Sequence, residues 1–380
     1  MIRSDLQKMK PRYIMIGGFL GAGKTTAVAA LAKHLTDEGQ RVGLITNDQG
    51  SNLVDTAMLR SRGFATEEIV GGCFCCRFNS LTDAAKKLTN ETRPDVFIAE
   101  PVGSCTDLVA TVTYPLRRIY GDDFQIAPLS VLIDPIRALR IFGLEQGGKF
   151  SDKVLYIFRK QLAEADAIVL NKIDLLSPEQ IERLEKVFAR DFPHATLFKI
   201  SARKGEGLLP WFSHLQTELQ QTRPAVSIDY DIYAEGEALL GWLNCTVELS
   251  HSEGADTSAV LKGLATIIHD ELRNNQSEIG HLKMTLSPDV GFGDVAVINL
   301  VRNDYVPELS QTLEETVRTA QIIINLRAEA APESLRDTIL KAIEGAQKNI
   351  PGLRLTLEHL EYFRPGRPTP THRLLTPAHE

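Results

Sequence analysis

A glycine-rich stretch near the amino terminus has the residue types and spacing that hold phosphate groups. It reads GFLGAGKTT from 18 to 26, follows an apolar run at 13–17 and precedes a helical pattern. Glycines let backbone N–H groups curl around phosphates, and the start of the helix adds further N–H groups and a favourable dipole. The alternative is a strand-to-helix turn that binds nothing, which the constrained spacing disfavours. The predicted phosphate-binding residues are Gly18, Gly21, Gly23, Lys24, Thr25 and Thr26.

The same stretch predicts a magnesium ion and the groups that act on the terminal phosphate. Lys24 would reach the β- and γ-phosphates, and the Thr25 hydroxyl would ligate Mg²⁺. A neighbouring strand must supply a carboxylate for the ion, and Glu100 ends the apolar run DVFIAE. Asp48 is a second candidate, and Gly103 could turn its N–H toward the γ-phosphate. A solvated strand-end acid is the alternative for each carboxylate; we predict that both acids act in catalysis with the lysine and the threonine.

The tetrapeptide NKID at 171–174 has the N-K-x-D spacing that distinguishes guanine from adenine. The Asp174 carboxylate can accept two hydrogen bonds, from guanine N1–H and from its exocyclic amine, which adenine does not offer. A lysine-containing turn is the alternative, but the position after a phosphate loop and one strand before SAR at 201–203 favours GTP. The predicted base-pocket residues are Asn171, Lys172, Asp174, Ser201 and Ala202, the last two through backbone N–H groups.

Three cysteines lie within four residues, in the stretch GGCFCC at 71–76. Cys73 and Cys76 have the C-x-x-C spacing that lets two thiolates bind one tetrahedral ion, and Cys75 adds a third. Soft sulfur ligands suit Zn²⁺, and Co²⁺ or Ni²⁺ less specifically. A fourth ligand must come from elsewhere: Cys105, water, a histidine or a second subunit. Buried apolar thiols and a redox pair are the alternatives, but three thiols directly after Gly-Gly favour a transition-metal site.

These motifs fall at the carboxyl ends of short apolar runs. From 13 to about 221 such runs alternate with helical patterns, which predicts an α/β P-loop domain around a mostly parallel sheet. Ligands of such sheets bind beyond the carboxyl ends of the strands. The predicted strands are 13–17, 41–47, 95–100, 126–134, 166–171 and 195–201.

A second, smaller domain is predicted after a proline-containing, acidic break in this pattern. Its strand and helix patterns follow a split βαβ plan, so we predict an α+β, ferredoxin-like domain with an extra strand. The tail is proline-rich and basic, and we expect it to be extended or mobile. The predicted divisions are 1–11 for an N-terminal tail, 12–221 for the P-loop domain, 222–236 for a linker, 237–363 for the second domain and 364–380 for the tail.

Composition excludes several function classes. A chain of 380 residues exceeds one compact core, which agrees with two domains. The net charge of -7 argues against a nucleic-acid partner, since such proteins usually carry a basic surface. The absence of a long apolar run and of a secretory leader predicts no membrane partner and a cytoplasmic location. The five cysteines fit reduced thiols in that compartment.

Together, these motifs resemble the CobW-like GTPases, relatives of UreG and HypB in the SIMIBI class, over residues 12 to 221. The resemblance implies a GTP-dependent metallochaperone or metal-insertion factor whose metal and nucleotide sites are coupled, and it carries over the roles predicted above. Two positions depart from the family pattern. Asp48 stands where a glutamate is common in N-E-x-G, and E-P-V-G at 100–103 stands where E-T-T-G is common.

The resulting hypothesis is that GTP hydrolysis controls metal release to a metalloenzyme or a cobalamin/corrinoid system, with a nucleotide-dependent homodimer as a candidate assembly. One alternative is a GTP-driven activator that remodels a corrinoid methyltransferase system, with structural or redox-active cysteines. A P-loop kinase for a small metabolite is disfavoured by NKID. A passive metal-binding module is the third alternative.

Overall fold

The computed structural model describes residues 10–47, 54–289 and 294–376. It contains a parallel sheet in the first half of the chain and an antiparallel sheet in the second half. This confirms the predicted class, a P-loop α/β domain followed by a smaller α+β domain. Tryptophan and phenylalanine side chains from the second half, Trp242 and Phe363, pack against the core of the first.

The first sheet is built from short, buried strands, as expected for a sheet covered by helices on both faces. Their spatial order is β3-β2-β4-β1-β6-β7-β8, with the short β5 beside β1, and neighbouring strands run parallel. The strands are β1 (Arg12–Gly18), β2 (Val42–Asn47), β3 (Ala65–Ile69), β4 (Val96–Glu100), β5 (Gln125–Ile126), β6 (Ser130–Ile133), β7 (Ala167–Leu170) and β8 (Thr196–Lys199).

Helices connect these strands and cover the sheet. Several begin with caps that satisfy their first N–H groups, such as Asp134, whose carboxylate accepts from Arg137 N–H at 2.9 Å. The helices are α1 (Lys24–Asp37), α2 (Val54–Ser61), α3 (Phe78–Glu91), α4 (Tyr114–Tyr120), α5 (Pro135–Ile141), α6 (Asp152–Glu164), α7 (Pro178–Asp191), α8 (Leu208–Thr217) and α9 (Tyr230–Leu239). Across the three described ranges, every helix is too short or too polar to cross a membrane.

The second sheet has the strand order β12-β11-β10-β13-β9-β14. Its strands β14, β9, β13 and β10 reproduce the order of a ferredoxin-like domain, and β11 with β12 extends one edge. The leucines and the methionine of β10 pack into the core of this domain together with its two helices, α10 and α11. The residues that alternate with them, His281 and Lys283, face the first domain. The elements are β9 (Leu240–Ala255), α10 (Thr257–Asn274), β10 (Glu278–Pro288), β11 (Ala296–Leu300), β12 (Glu308–Gln311), β13 (Val317–Glu329), α11 (Pro332–Asn349) and β14 (Leu353–Phe363).

Two connecting segments differ from their predicted character. The segment 222–236, expected to be a linker, includes the start of α9, because Asp229 caps this helix by accepting from two of its N–H groups. The tail was expected to be extended or mobile. Residues 364–376 contain no helix or strand, but they are held against the first domain, because hydrogen bonds join them to the segment at 73–76 and to Ala110.

Candidate nucleotide and metal site

The phosphate loop joins β1 to α1 and uses backbone conformations that favour glycine. Gly18, Gly21 and Gly23 have φ values of 133°, 75° and 91°. A Cβ at Gly18 would lie 2.2 Å from the Leu132 carbonyl oxygen, and one at Gly23 would lie 2.5 Å from Asn171 Nδ2. The glycines therefore allow the loop to lie directly against the two strands that follow it in the sheet.

The groups predicted to hold magnesium meet at the start of α1. Thr25 Oγ1 donates to Glu100 Oε1 at 2.9 Å, and the carboxylate is buried at the end of β4. Hydroxyl and carboxylate oxygens are the ligands that Mg²⁺ prefers, so the residues present fit this ion. Lys24 Nζ donates to the Gly18 carbonyl at 2.9 Å, inside the loop that would hold the phosphates. Asp48 and the residues after it to 53 lie outside the described residues.

Hydrogen bonds join the N-K-x-D segment to the phosphate loop and to the SAR segment at 201–203. Asn171 Nδ2 donates to the Ala22 carbonyl at 2.8 Å, and its Oδ1 accepts from Ala202 N–H at 3.0 Å. Lys172 Nζ donates to the Gly21 carbonyl at 2.7 Å. The structure thus brings together the phosphate loop, NKID and SAR, which are far apart in sequence, and it places Asp174 in the wall of the same cavity.

Two other predicted residues lie close to this loop. Gly103 packs against it, because a Cβ there would lie 3.1 Å from Leu20 N. Ser201 is fully buried, and its backbone N–H donates to the Glu206 carbonyl at 3.0 Å, whereas Ala202 lies in the wall of the cavity. Both predicted amides are therefore engaged within the protein, Ser201 N–H with Glu206 and Ala202 N–H with Asn171, while Ala202 and Arg203 line the cavity.

An ion-pair network that sequence reasoning missed joins the base pocket to the second domain. The buried carboxylate of Asp134 lies 2.8 Å from Lys172 Nζ and 3.0 Å from an NH group of Arg302, which follows β11. Burial alone would raise the pKa of Asp134, but the charges of Lys172, Arg302 and Arg137 lower it below its usual value. The sequence signal for this site was an acid followed by proline at a strand end.

Replacing Arg302 with alanine is expected to lower the free energy of unfolding by about 2 kcal/mol. Breaking a buried ion pair costs roughly 3–5 kcal/mol, and Lys172 remains to offset part of the charge of Asp134. Urea unfolding at neutral pH measures the change. Lys348→Ala, which removes an exposed pair with Glu344, serves as the control and should leave stability nearly unchanged. Equal stability of both variants would contradict a structural role for this network.

A cavity of about 470 Å³ lies between the two domains, within the size range of small-molecule sites, and is the candidate nucleotide cavity. The phosphate loop and NKID form one wall. The other wall belongs to the second domain, through residues of β10, of β11 and of the turn after it. It includes His281, Lys283, Asn299, Arg302 and Tyr305.

The three clustered cysteines lie between β3 and α3 with their sulfurs close together. The Sγ atoms of Cys73, Cys75 and Cys76 all lie within 4.8 Å of one another, and the Cys73–Cys76 separation is 3.3 Å. A tetrahedral zinc site with Zn–S bonds near 2.3 Å requires sulfurs about 3.8 Å apart. The donor set therefore fits such an ion with small shifts of the side chains.

The surroundings favour the thiolate form at Cys73, whereas they raise the pKa values of Cys75 and Cys76. Sulfur hydrogen bonds, the largest from Cys105, hold the pKa of Cys73 well below its usual range. Burial raises the pKa of Glu237 far above its usual value, and charge on Cys73 acts in the same direction. This carboxyl group, at the end of α9, lines a cavity of about 320 Å³ together with Cys73, Cys76 and Glu361. Sequence reasoning missed Glu237, which it placed outside the P-loop domain.

Asn47 connects the nucleotide cavity with the cysteine segment. It is the last residue of β2, directly before Asp48 in the sequence, and it lines the candidate nucleotide cavity. Its side-chain amide donates to the Ile69 and Gly72 carbonyls at 3.0 and 2.7 Å, and its oxygen accepts from Phe74 N–H at 3.0 Å. One buried side chain therefore fixes the backbone on both sides of Cys73.

The C-terminal tail covers the cysteine segment from the other side. The backbone N–H of Thr369 donates to Cys76 Sγ at 3.2 Å, and that of Thr371 donates to the Cys75 carbonyl at 2.8 Å. The hydrogen bond from Thr369 lowers the pKa of the Cys76 thiol, but Cys73 and burial outweigh it and raise that pKa to about 11. His372 of the tail packs edge-on against the Phe78 ring.

Comparisons with known proteins agree with these motifs. The family model described as CobW/HypB/UreG, nucleotide-binding domain, matches residues 12–199. The zinc chaperone YeiR of Escherichia coli is 32% identical over 179 residues, covering 46% of this chain and 50% of YeiR. The zinc chaperone CobW of a Sinorhizobium species is 31% identical over 214 residues, covering 50% of this chain and 59% of that protein. The chain thus spans about half the length of these relatives.

A solved structure gives a comparison of lower identity. HypB from Helicobacter pylori, in complex with nickel, aligns with 57% of this chain and 93% of its own, at 21% identity and a TM-score of 0.41. The family assignment therefore depends on the family model and on the order of the motifs. Residues 12–199 of this chain form a nucleotide-binding domain of the CobW/HypB/UreG family.

Proposed function

We propose that this protein binds Mg-GTP in the cavity between its domains, hydrolyses it, and carries a transition metal, zinc in the first place, on Cys73, Cys75 and Cys76. Support comes from the Thr25–Glu100 pair for Mg²⁺, from the joined NKID and phosphate-loop motifs, and from the clustered sulfurs. The metal is the cargo, and its recipient is a metalloenzyme or a corrinoid system. Cobalt or nickel are alternative cargoes of the same thiol site.

The observation that carries this proposal is the position of Asn47. A metal carrier controlled by GTP needs a group that responds to the nucleotide and also shapes the metal site, since coupling requires different metal affinities in the two nucleotide states. Asn47 lines the same cavity as the phosphate loop, and its side chain forms three hydrogen bonds with the backbone of Ile69, Gly72 and Phe74, on both sides of Cys73. A nucleotide-dependent shift of Asn47 would therefore reach the sulfurs.

Replacing Asn47 with alanine is expected to uncouple the two sites. In the unaltered protein we expect Zn²⁺ affinity with a GTP analogue and with GDP to differ about tenfold, within the usual range of coupling between sites. The variant should reduce this ratio to less than about threefold while it still binds zinc and nucleotide, because the thiols and the phosphate loop remain. Competitive titration with a chromophoric chelator measures both affinities.

Gln347→Ala is the matched control, because its side-chain amide oxygen likewise accepts a backbone N–H, from Leu355 at 3.0 Å, but lies in the second domain. This control should keep the full ratio. If Asn47→Ala also keeps it, the connection runs through other residues and the proposed route is wrong.

A further inference from the structure

Strand β10 of the second domain crosses the nucleotide cavity from one end to the other. Gly280 packs against the phosphate loop, where a Cβ on Gly21 would lie 3.0 Å from its carbonyl oxygen. Lys172 also contacts Gly21, so this is the guanine end of the cavity. The next residues of the strand whose side chains face the cavity are His281 and Lys283.

The register of the second sheet places Lys283 at the opposite end. Lys283 pairs with Asn325 of β13, and the Asn325 side-chain oxygen accepts from Val54 N–H at 3.0 Å. Val54 begins α2 and lines the same cavity as Glu100 and Lys283. In P-loop proteins the γ-phosphate lies beside the magnesium ion and the carboxylate that helps to hold it, here Glu100. Lys283 is therefore the β10 residue nearest the expected γ-phosphate.

The charges around this part of the cavity also indicate a polyanion. Burial lowers the pKa of His281 well below its usual value, and positive charges on Lys283, Arg327 and Lys24 act in the same direction. Cations from both domains thus surround a neutral imidazole. A triphosphate bound beside these cations would be stabilised by their charges.

We propose that Lys283 contacts the terminal phosphate of bound GTP and thereby makes the second domain a sensor of the triphosphate. This inference rests on the proposed nucleotide function and assigns a new binding residue to it. GDP lacks the phosphate that Lys283 would meet, so loss of the γ-phosphate releases one contact between the domains. The same second sheet supplies Glu361 and Phe363 to the cavity beside Cys73 and Cys76, so such a release also reaches the metal site.

The test compares Lys283→Gln with the unaltered protein in fluorescence titrations with a non-hydrolysable GTP analogue and with GDP, both with Mg²⁺. Because Lys283→Gln would lose a hydrogen bond between a charged lysine and a phosphate, its affinity for the analogue should fall about tenfold. GDP affinity should change less than about threefold. Lys283→Arg should recover most of the loss because it keeps the charge. Lys262→Gln, at an exposed position of α10, is the control and should match the unaltered protein.

The results of these titrations support or overturn the assignment of Lys283 as a γ-phosphate contact. Selective loss for the triphosphate analogue, recovered by arginine, supports Lys283 as a γ-phosphate contact. Equal affinities in Lys283→Gln and the unaltered protein, or equal losses for both nucleotides, overturn it and leave the nucleotide site intact. If the unaltered protein binds neither nucleotide, the nucleotide function itself fails and this inference with it. Should the glutamine variant unfold, the comparison of Lys283→Ala with Lys283→Arg applies the same criteria.

Discussion

Replacing Cys73 with alanine is expected to lower the affinity for Zn²⁺ by more than about 100-fold while leaving GTP-analogue binding unchanged. Loss of an outer-shell partner of a metal ligand costs roughly 10–100-fold, and loss of a ligand itself should cost more. Neighbouring thiols lower the pKa of Cys73, whereas the pKa values of Cys75 and Cys76 are raised, and Asn47 holds the backbone on both sides of Cys73. Competition with a chromophoric chelator measures the zinc affinity, and a fluorescent nucleotide measures the other site.

The matched control is Cys245→Ala, which removes an equally buried thiol from β9 in the core of the second domain. It should leave zinc affinity unchanged. Cys105→Ala separates two possibilities for that residue: a loss as large as that of Cys73→Ala indicates a fourth ligand, and a smaller loss indicates a hydrogen-bond partner. Unchanged zinc affinity in Cys73→Ala would remove the cysteine segment from the metal site.

Replacing Lys24 with alanine is expected to lower the rate of GTP hydrolysis by about 100- to 1,000-fold. Removing one donor that stabilises developing negative charge in a transition state costs roughly this factor. Lys24 lies inside the phosphate loop beside Gly18, and Thr25 next to it contacts Glu100. Release of inorganic phosphate under single-turnover conditions measures the step directly.

Two controls make this result specific. Lys186→Ala removes an exposed lysine paired with Glu182 on α7 and should keep the full rate. Zinc affinity without nucleotide should also be unchanged in Lys24→Ala, because the cysteines lie on a different loop. A hydrolysis rate within about threefold of the unaltered protein would contradict the assigned role, which requires the larger loss.

Local sequence patterns were sufficient to predict the elements around the phosphate loop and the class of both domains. A glycine turn that must curl around phosphate leaves a short signature, because few residues adopt the φ values of Gly21 and Gly23. Short apolar runs between helical patterns predict buried parallel strands for a similar reason. The ferredoxin-like plan followed from the alternation of strands and helices, which does not depend on distant contacts.

Such local patterns could not predict the contacts between the domains. The Asp134–Arg302 pair joins residues 168 positions apart, and an acid before a proline is equally typical of a helix cap, the second role that Asp134 has here. The tail looked mobile because its composition cannot form a core, yet its backbone N–H groups find acceptors on the cysteine segment. A segment held by its backbone leaves no side-chain pattern from which to predict the contact.

The position of the tail is relevant to both candidate functions, metal delivery and remodelling of a client protein. Arg373 of the tail donates to the buried carboxylate of Asp107 at 2.6 Å, two residues after Cys105. An ion released from the sulfurs, or a client approaching them, would meet this covered side of the site. The cysteine segment is thus held by Asn47 on one side and covered by the tail on the other, as the proposed control of release requires.

Coupling between the nucleotide and the metal is tested most directly by one pair of titrations on the unaltered protein. Zinc is titrated against a competing chelator once with a saturating non-hydrolysable GTP analogue and Mg²⁺, and once with saturating GDP and Mg²⁺. We expect affinities that differ about tenfold, because Asn47 lines the candidate nucleotide cavity and also holds the backbone on both sides of Cys73. Equal zinc affinities in the two nucleotide states would contradict this coupling.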